Sequence, residues 1–146
     1  MSSLNLQSIP DRLRAIYKTS SEDGSYELLY CGLIQLQFLR NHINESSKNI
    51  DERALPEEVK LCLRILDLID ELVASLQLRI DGLQFKIRMA SMQMHVRSGL
   101  SPASTLTGIR TAVQDNDQRK ALADACIENS YAELDKFLMF TKIGRA

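Results

Sequence analysis

PEEVKLCLRILDLIDELVASLQLRIDGLQFKIRMASMQMHVR, residues 56–97, is the stretch on which the fold turns. It opens on Pro56, has no later proline and contains one glycine, Gly82. Proline at a first helical position has no N–H to leave unpaired, and Glu57 and Glu58 suit the positive end of a helix dipole. Leu61, Ile65, Leu68, Leu72, Leu76, Ile80, Leu83 and Ile87 recur at spacings of three and four, which puts them on one helical face. Leu63, Leu66, Ile69 and Val73 make a second apolar row. A helix with two such rows belongs at the centre of a bundle, or in a bundle on one side and against a partner on the other. As one continuous rod the segment would run about 60 Å at ~1.5 Å per residue. Gly82 is where it would break if it were two helices, and the unbroken period favours the rod. Its end is marked by Arg97, Ser98 and Gly99, a basic last turn followed by glycine.

Outward from this rod the pattern stays helical. Ser8, Pro10 and Asp11 mark a start, and Leu13, Ile16 and Tyr17 give a short helix one apolar face before Thr19, Ser20 and Ser21. Residues 1–7 read as a short leader. A second helix begins near Ser25 and carries Tyr26, Leu29, Leu33, Leu36 and Leu39, broadened by Leu28, Ile34 and Phe38. Gly32 inside it costs about 1 kcal/mol relative to alanine, which close approach of another helix would explain. Polar residues from Asn41 to Asn49 suggest a loop or frayed end. Beyond Gly99, Ser101 and Pro102 cap a segment through Ile109 and Val113. Asp115, Asn116 and Asp117 either interrupt it or cross an exposed face. Leu122, Cys126, Ile127, Leu134, Phe137, Leu138 and Ile143 carry the last helix, closed by Gly144. The expectation is an all-α, antiparallel four- or five-helix bundle with one long central helix over residues 56–97, forming a single domain over 1–146.

Composition agrees. Apolar residues make up 45% of the 146 and charged residues 25%, ordinary for a chain with a continuous core. With no Trp, six Gly and three Pro, the turns and aromatics of an all-β fold are missing. There are 18 basic and 19 acidic residues, so no overall basic surplus points to nucleic acid. Lys86, Arg88 and Arg97 read as a solvated helix face. Cys31, Cys62 and Cys126 are too far apart for a disulfide framework and read as small core residues of a reduced, intracellular, cytoplasmic protein. Charged residues interrupt every apolar stretch, so no membrane span is expected.

Few residues suggest chemistry. Asp67 and Glu71 share a helical face, but no Glu-x-x-His accompanies them, and neither a metal site nor a cofactor is expected. His42 reads as an exposed residue near a helix end. Ser20, Ser21 and Ser101 fall in segments read as loops or caps, where phosphate could act on a helix start. No serine or cysteine lies on a glycine-rich turn, and no phosphate-cradling loop is present. Arg88 and His95 lie seven residues apart, on one face two turns distant. This spacing is similar to the Arg-x(4–6)-His pattern of the HEPN-type ribonucleases, helical bundles of about this size. The resemblance implies a pair that binds and cleaves RNA across a dimer. Met89 departs from the polar residue that family favours after its arginine.

Met89, Met92 and Met94 cluster with Ile87, Ala90 and Val96 near the end of the long helix, and methionine side chains are soft enough to adapt to varied partners. The reading that follows is a non-catalytic protein–protein interaction module: an adaptor, a chaperone or a subunit of a larger assembly. The alternatives are a HEPN-like ribonuclease or RNA-binding protein using Arg88 and His95, and a structural homo-oligomer built along the long helix.

Overall fold

A computed structural model describes residues 8–22, 25–48 and 56–145; the leader at 1–7 lies outside them. They form four helices: α1 (Ile9–Glu22), α2 (Tyr26–Lys48), α3 (Pro56–Arg97) and α4 (Ser104–Arg145). Among the described residues there is no strand.

Cross-helix partners fix the directions. Along α3 and α4, Arg64 lies over the ring of Phe137, Glu71 accepts the Ser130 hydroxyl at 2.7 Å and Arg79 bonds Asp124 at 2.8 Å. Gly82 faces Asn116, so the two helices form an antiparallel hairpin. Arg40 of α2 pairs with Asp70 at 2.6 Å while Gly32 lies beside Leu76, so α2 runs antiparallel to α3. Arg14 and Tyr17 of α1 reach Asp135 and Asp124, which sets α1 antiparallel to α4. The result is an all-α, up-down-up-down bundle with α3 at its centre.

The core follows from that central place. Ile65, Ile69, Leu72, Leu76 and Ile80 of α3 are fully buried against Leu13, Leu29, Leu36, Ile43 and Leu134 from the other three helices. Each such side chain contributes about 1.5–3 kcal/mol on leaving water. Two glycines set the approach distances. A Cβ on Gly32 would collide with the Ser20 side chain and stand 3.3 Å from Leu76 Cδ1, so α1 and α2 touch there almost backbone to backbone. Gly82 does not break α3; it is a notch that receives Asn116.

Several expectations are corrected here. α1 continues through Ser20 and Ser21, whose hydroxyls donate to the Ile16 and Tyr17 carbonyls at 2.7 Å instead of lying in a loop. α2 runs past Asn41 to Lys48 because Ile43, one turn after Leu39, is needed in the core. Asp115–Asp117 neither break α4 nor lie wholly outside: Asn116 is 5% exposed and donates to the Leu78 carbonyl at 2.9 Å. Among the described residues the helices number four, within the expected four or five. Cys62 is buried, but Cys31 and Cys126 are exposed thiols and not core residues. Ile34 and Phe38 do not broaden the buried stripe of α2 but stand in solvent.

Candidate functional site: the free end of the α3–α4 hairpin

The helices differ greatly in length. α3 and α4 have 42 residues each and α2 has 23. Following α2 back from Arg40, opposite Asp70, to its start brings it level with about residue 85 of α3. The buried residues stop at Gly82 on α3 and resume at Asn116 on α4. Beyond the start of α2 no other described helix lies alongside, and the hairpin continues as two helices.

Its turn is fixed by backbone hydrogen bonds. Gly99 has φ 75°, its N–H bonds the Val96 carbonyl at 3.1 Å, and the Leu100 N–H bonds the His95 carbonyl at 2.8 Å. These two bonds are the Schellman ending of a helix, which needs the left-handed conformation that glycine adopts most readily. The first turn of α4 is tied by Thr105 and Leu106 N–H groups to the Pro102 and Ala103 carbonyls, both at 3.1 Å. The free end is thus ordered backbone carrying unpaired apolar surface.

That surface divides the four residues singled out from sequence. Met89, Met92 and Val96, spaced three and four apart with Phe85, are half-buried and line the seam of the hairpin. Met94 is 68% exposed, and Ile87, one heptad earlier on the same face, is 60% exposed. Leu100 at the tip is 75% exposed. The sequence groups Ile87 both with the apolar stripe of α3 and with the methionine cluster, and does not single out Leu100. The periodicity that places Ile87 with Ile80 and Leu83 is real, but the cover for that row ends with α2. Arg88 is exposed and His95 half-buried, both on this free end. Neither side chain has a hydrogen bond or ion pair with another described residue, so no carboxylate orients His95.

A second apolar surface was also missed. Tyr30, Ile34 and Phe38, four apart on α2, are 43%, 63% and 73% exposed, with Tyr30 stacked on Tyr26 at 6.1 Å. α1 and α3 are the neighbours of α2, and the leucine stripe already fills both contacts. The two aliphatic-aromatic positions at Ile34 and Phe38 were the available signal, read as extra core.

The chain has no match among family models, curated proteins or solved structures.

The polar clusters serve the bundle. Asp124 accepts bonds from Arg79 at 2.8 and 2.9 Å, from the Tyr17 hydroxyl at 2.9 Å and from Ser75 at 3.2 Å. Burial pushes the Tyr17 phenol above its usual range, against the opposing bonds from Ser75 and Arg79. For Arg79, burial opposes the charge, and the bonds to Tyr17 and Asp124 outweigh it to raise the pKa. A groove of about 390 Å³ runs beside this network, between α1 and α4. Of its charged lining, Arg14, Arg79 and Asp124 are already engaged across helices. Asp67 is exposed and Glu71 is held by Ser130; among the described residues no three His, Cys, Asp or Glu come together as metal ligands. No helix among them is long and apolar enough to cross a membrane.

Proposed function

We propose that this chain is a non-catalytic protein–protein interaction module, an adaptor, chaperone or subunit of a larger assembly, that binds its partner at the free end of the α3–α4 hairpin. One observation carries the reading: the helices continue well past the last buried residue, and Ile87, Met94 and Leu100 on that extension face solvent. A bundle that needed only its own core would have no use for the extension, and exposed apolar patches mark interaction surfaces. Partner helices bind such faces through anchors at i, i+3, i+4 and i+7, the relation between Ile87 and Met94.

The test is affinity capture from cells that make the protein, with wild type and Ile87→Lys/Met94→Lys compared by mass spectrometry. The double variant should keep the wild-type melting temperature and lose the captured partner, whereas Leu72→Lys should unfold the chain. Phe38→Lys reports on the α2 ridge. If it abolishes capture and Ile87→Lys/Met94→Lys does not, the partner face has been misplaced.

A second reading rests on Arg88 and His95, which share the free end without internal partners. On that reading the extension holds RNA for cleavage, and an RNA cleavage assay decides it: activity must be present and must vanish in His95→Ala.

A further inference from the structure

The free end is charged with one sign. Between Asp81 and Asp115 the sequence has no Asp or Glu, and it has Lys86, Arg88, Arg97 and Arg110, with His95. The whole chain carries 18 basic and 19 acidic residues, so the body of the bundle is net acidic and its projecting end is basic. Arg88 and Arg110 lie six residues beyond the Gly82–Asn116 contact on their respective helices, which places them at one level of the hairpin. Both are exposed, and neither pairs with another described side chain.

Resting on the interaction-module reading above, we infer that the occupant of this end is an acidic, amphipathic helix of a partner protein. The apolar part of the surface is aliphatic and methionine: Ile87, Met94 and Leu100. These side chains suit the apolar face of a helix. They offer nothing to a phosphate backbone, which is bound by charge and by aromatic stacking. A bilayer interface favours exposed Trp and Tyr, and this end has neither. Its one aromatic, Phe85, is half-buried. A symmetric pairing of two copies would bring two basic ends together with no acid to separate them, which like-charge repulsion disfavours. An acidic helix meets both requirements. Laid along the hairpin beyond the start of α2, it continues the layer that α1 and α2 provide further down.

The experiment uses the full chain and a random peptide library displayed on phage. Selection is on wild type, with counter-selection on Arg88→Glu/Arg110→Glu. Both substitutions are at exposed positions and should leave the melting temperature near the wild-type value. Enriched peptides should carry apolar residues at helical spacing and a net negative charge. A synthetic peptide of the enriched sequence should bind wild type at least about tenfold more tightly than either Arg88→Glu/Arg110→Glu or Ile87→Lys/Met94→Lys, by fluorescence anisotropy. Its affinity should fall as salt rises. Enrichment of neutral or basic amphipathic peptides at the same surface would overturn the acidic occupant while leaving the interaction module standing. With no peptide enriched, the acidic occupant is overturned; binding to phosphatidylserine vesicles or polyuridylate that Arg88→Glu/Arg110→Glu removes would overturn the protein-binding reading as well. A concentration-dependent oligomer lost in that same variant, seen by sedimentation, would make the occupant a second copy and sink the proposal too.

Discussion

Gly82→Ala should change sign with its background. In the native chain the new Cβ would stand 2.7 Å from Asn116 Oδ1, closer than such atoms pack. Asn116 is 5% exposed, and its Nδ2 bonds the Leu78 carbonyl at 2.9 Å, so turning the amide away from the new methyl gives up that bond. Alanine gains about 1 kcal/mol over glycine inside a helix. Displacing the amide gives up a buried hydrogen bond and leaves its donor unsatisfied, at about 1–3 kcal/mol. The net change is destabilising by roughly 1 kcal/mol. In an Asn116→Ala background the obstacle is gone, the new methyl fills space beside a smaller neighbour, and the propensity gain of about 1 kcal/mol survives. The coupling is therefore about 2 kcal/mol, well above the few tenths expected of independent sites. Urea unfolding followed by far-UV circular dichroism on the four proteins of the cycle measures it. In a melt, 1 kcal/mol moves a chain of this size by about 2–4 °C. If Gly82→Ala stabilises both backgrounds equally, Asn116 does not occupy the notch, and the register in which the free end leaves the bundle has been misread.

Other substitutions probe separate parts of the structure. Gly32→Ala must force α1 from α2 against the Ser20 side chain and should lower stability by about 2 kcal/mol, measured by urea unfolding. Gly108→Ala, with nothing within 4 Å of its Cβ and a helical backbone, should raise stability by about 1 kcal/mol. Gly99→Ala, equally open but at φ 75°, should lower it by about 1–2 kcal/mol through backbone strain alone. Among the described residues the Tyr131 hydroxyl is buried without a hydrogen-bond partner, so Tyr131→Phe should be neutral or stabilising by about 1 kcal/mol. Burial pushes the Tyr131 phenol upward, opposed by the Arg14 guanidinium 4.5 Å from its ring, and burial raises Tyr17 as well. With both folded values above the usual 10, their contribution is complete below pH 10 and is lost as pH rises through the folded values. Melting temperature should fall above about pH 10, and less steeply in Tyr131→Phe. A slope unchanged in that variant would remove Tyr131 from the account.

The helices were legible because their signals are local. Pro56, the three-and-four spacing behind it and Gly99 fix α3 from end to end, and Ser25 caps α2 through a bond from the Leu28 N–H at 3.3 Å. What could not be read is how the helices cover one another. Ile43 looked like an isolated apolar residue in a polar run, and only the pairing of α2 with α3 makes it core. Asn116 looked like part of a charged break, because a polar residue opposite a glycine on another helix leaves no mark in either segment alone. Ile34, Phe38 and Ile87 failed in the opposite direction. Each fits an apolar stripe, and each is exposed because the neighbouring element ends or lies to another side.

The same distinction explains why burial divides the residues near the end of α3. The methionines there divide in this way: Met89 and Met92 are half-buried, while Met94, with Ile87 and Leu100, lies in solvent. A stripe on a helix records that something covers it without recording what does. Along residues 61–80 the cover is the chain itself; from Ile87 to Leu100 the apolar spacing persists after α2 has stopped. Either those residues are idle, or a further element takes the place of α1 and α2. Idle aliphatic groups would stay exposed to water and the one-signed charge beside them unpaired, whereas an acidic helix would bury the first and neutralise the second. The economy of a single occupant for both features is the argument for it, and Arg88→Glu/Arg110→Glu separates the charge from the apolar face.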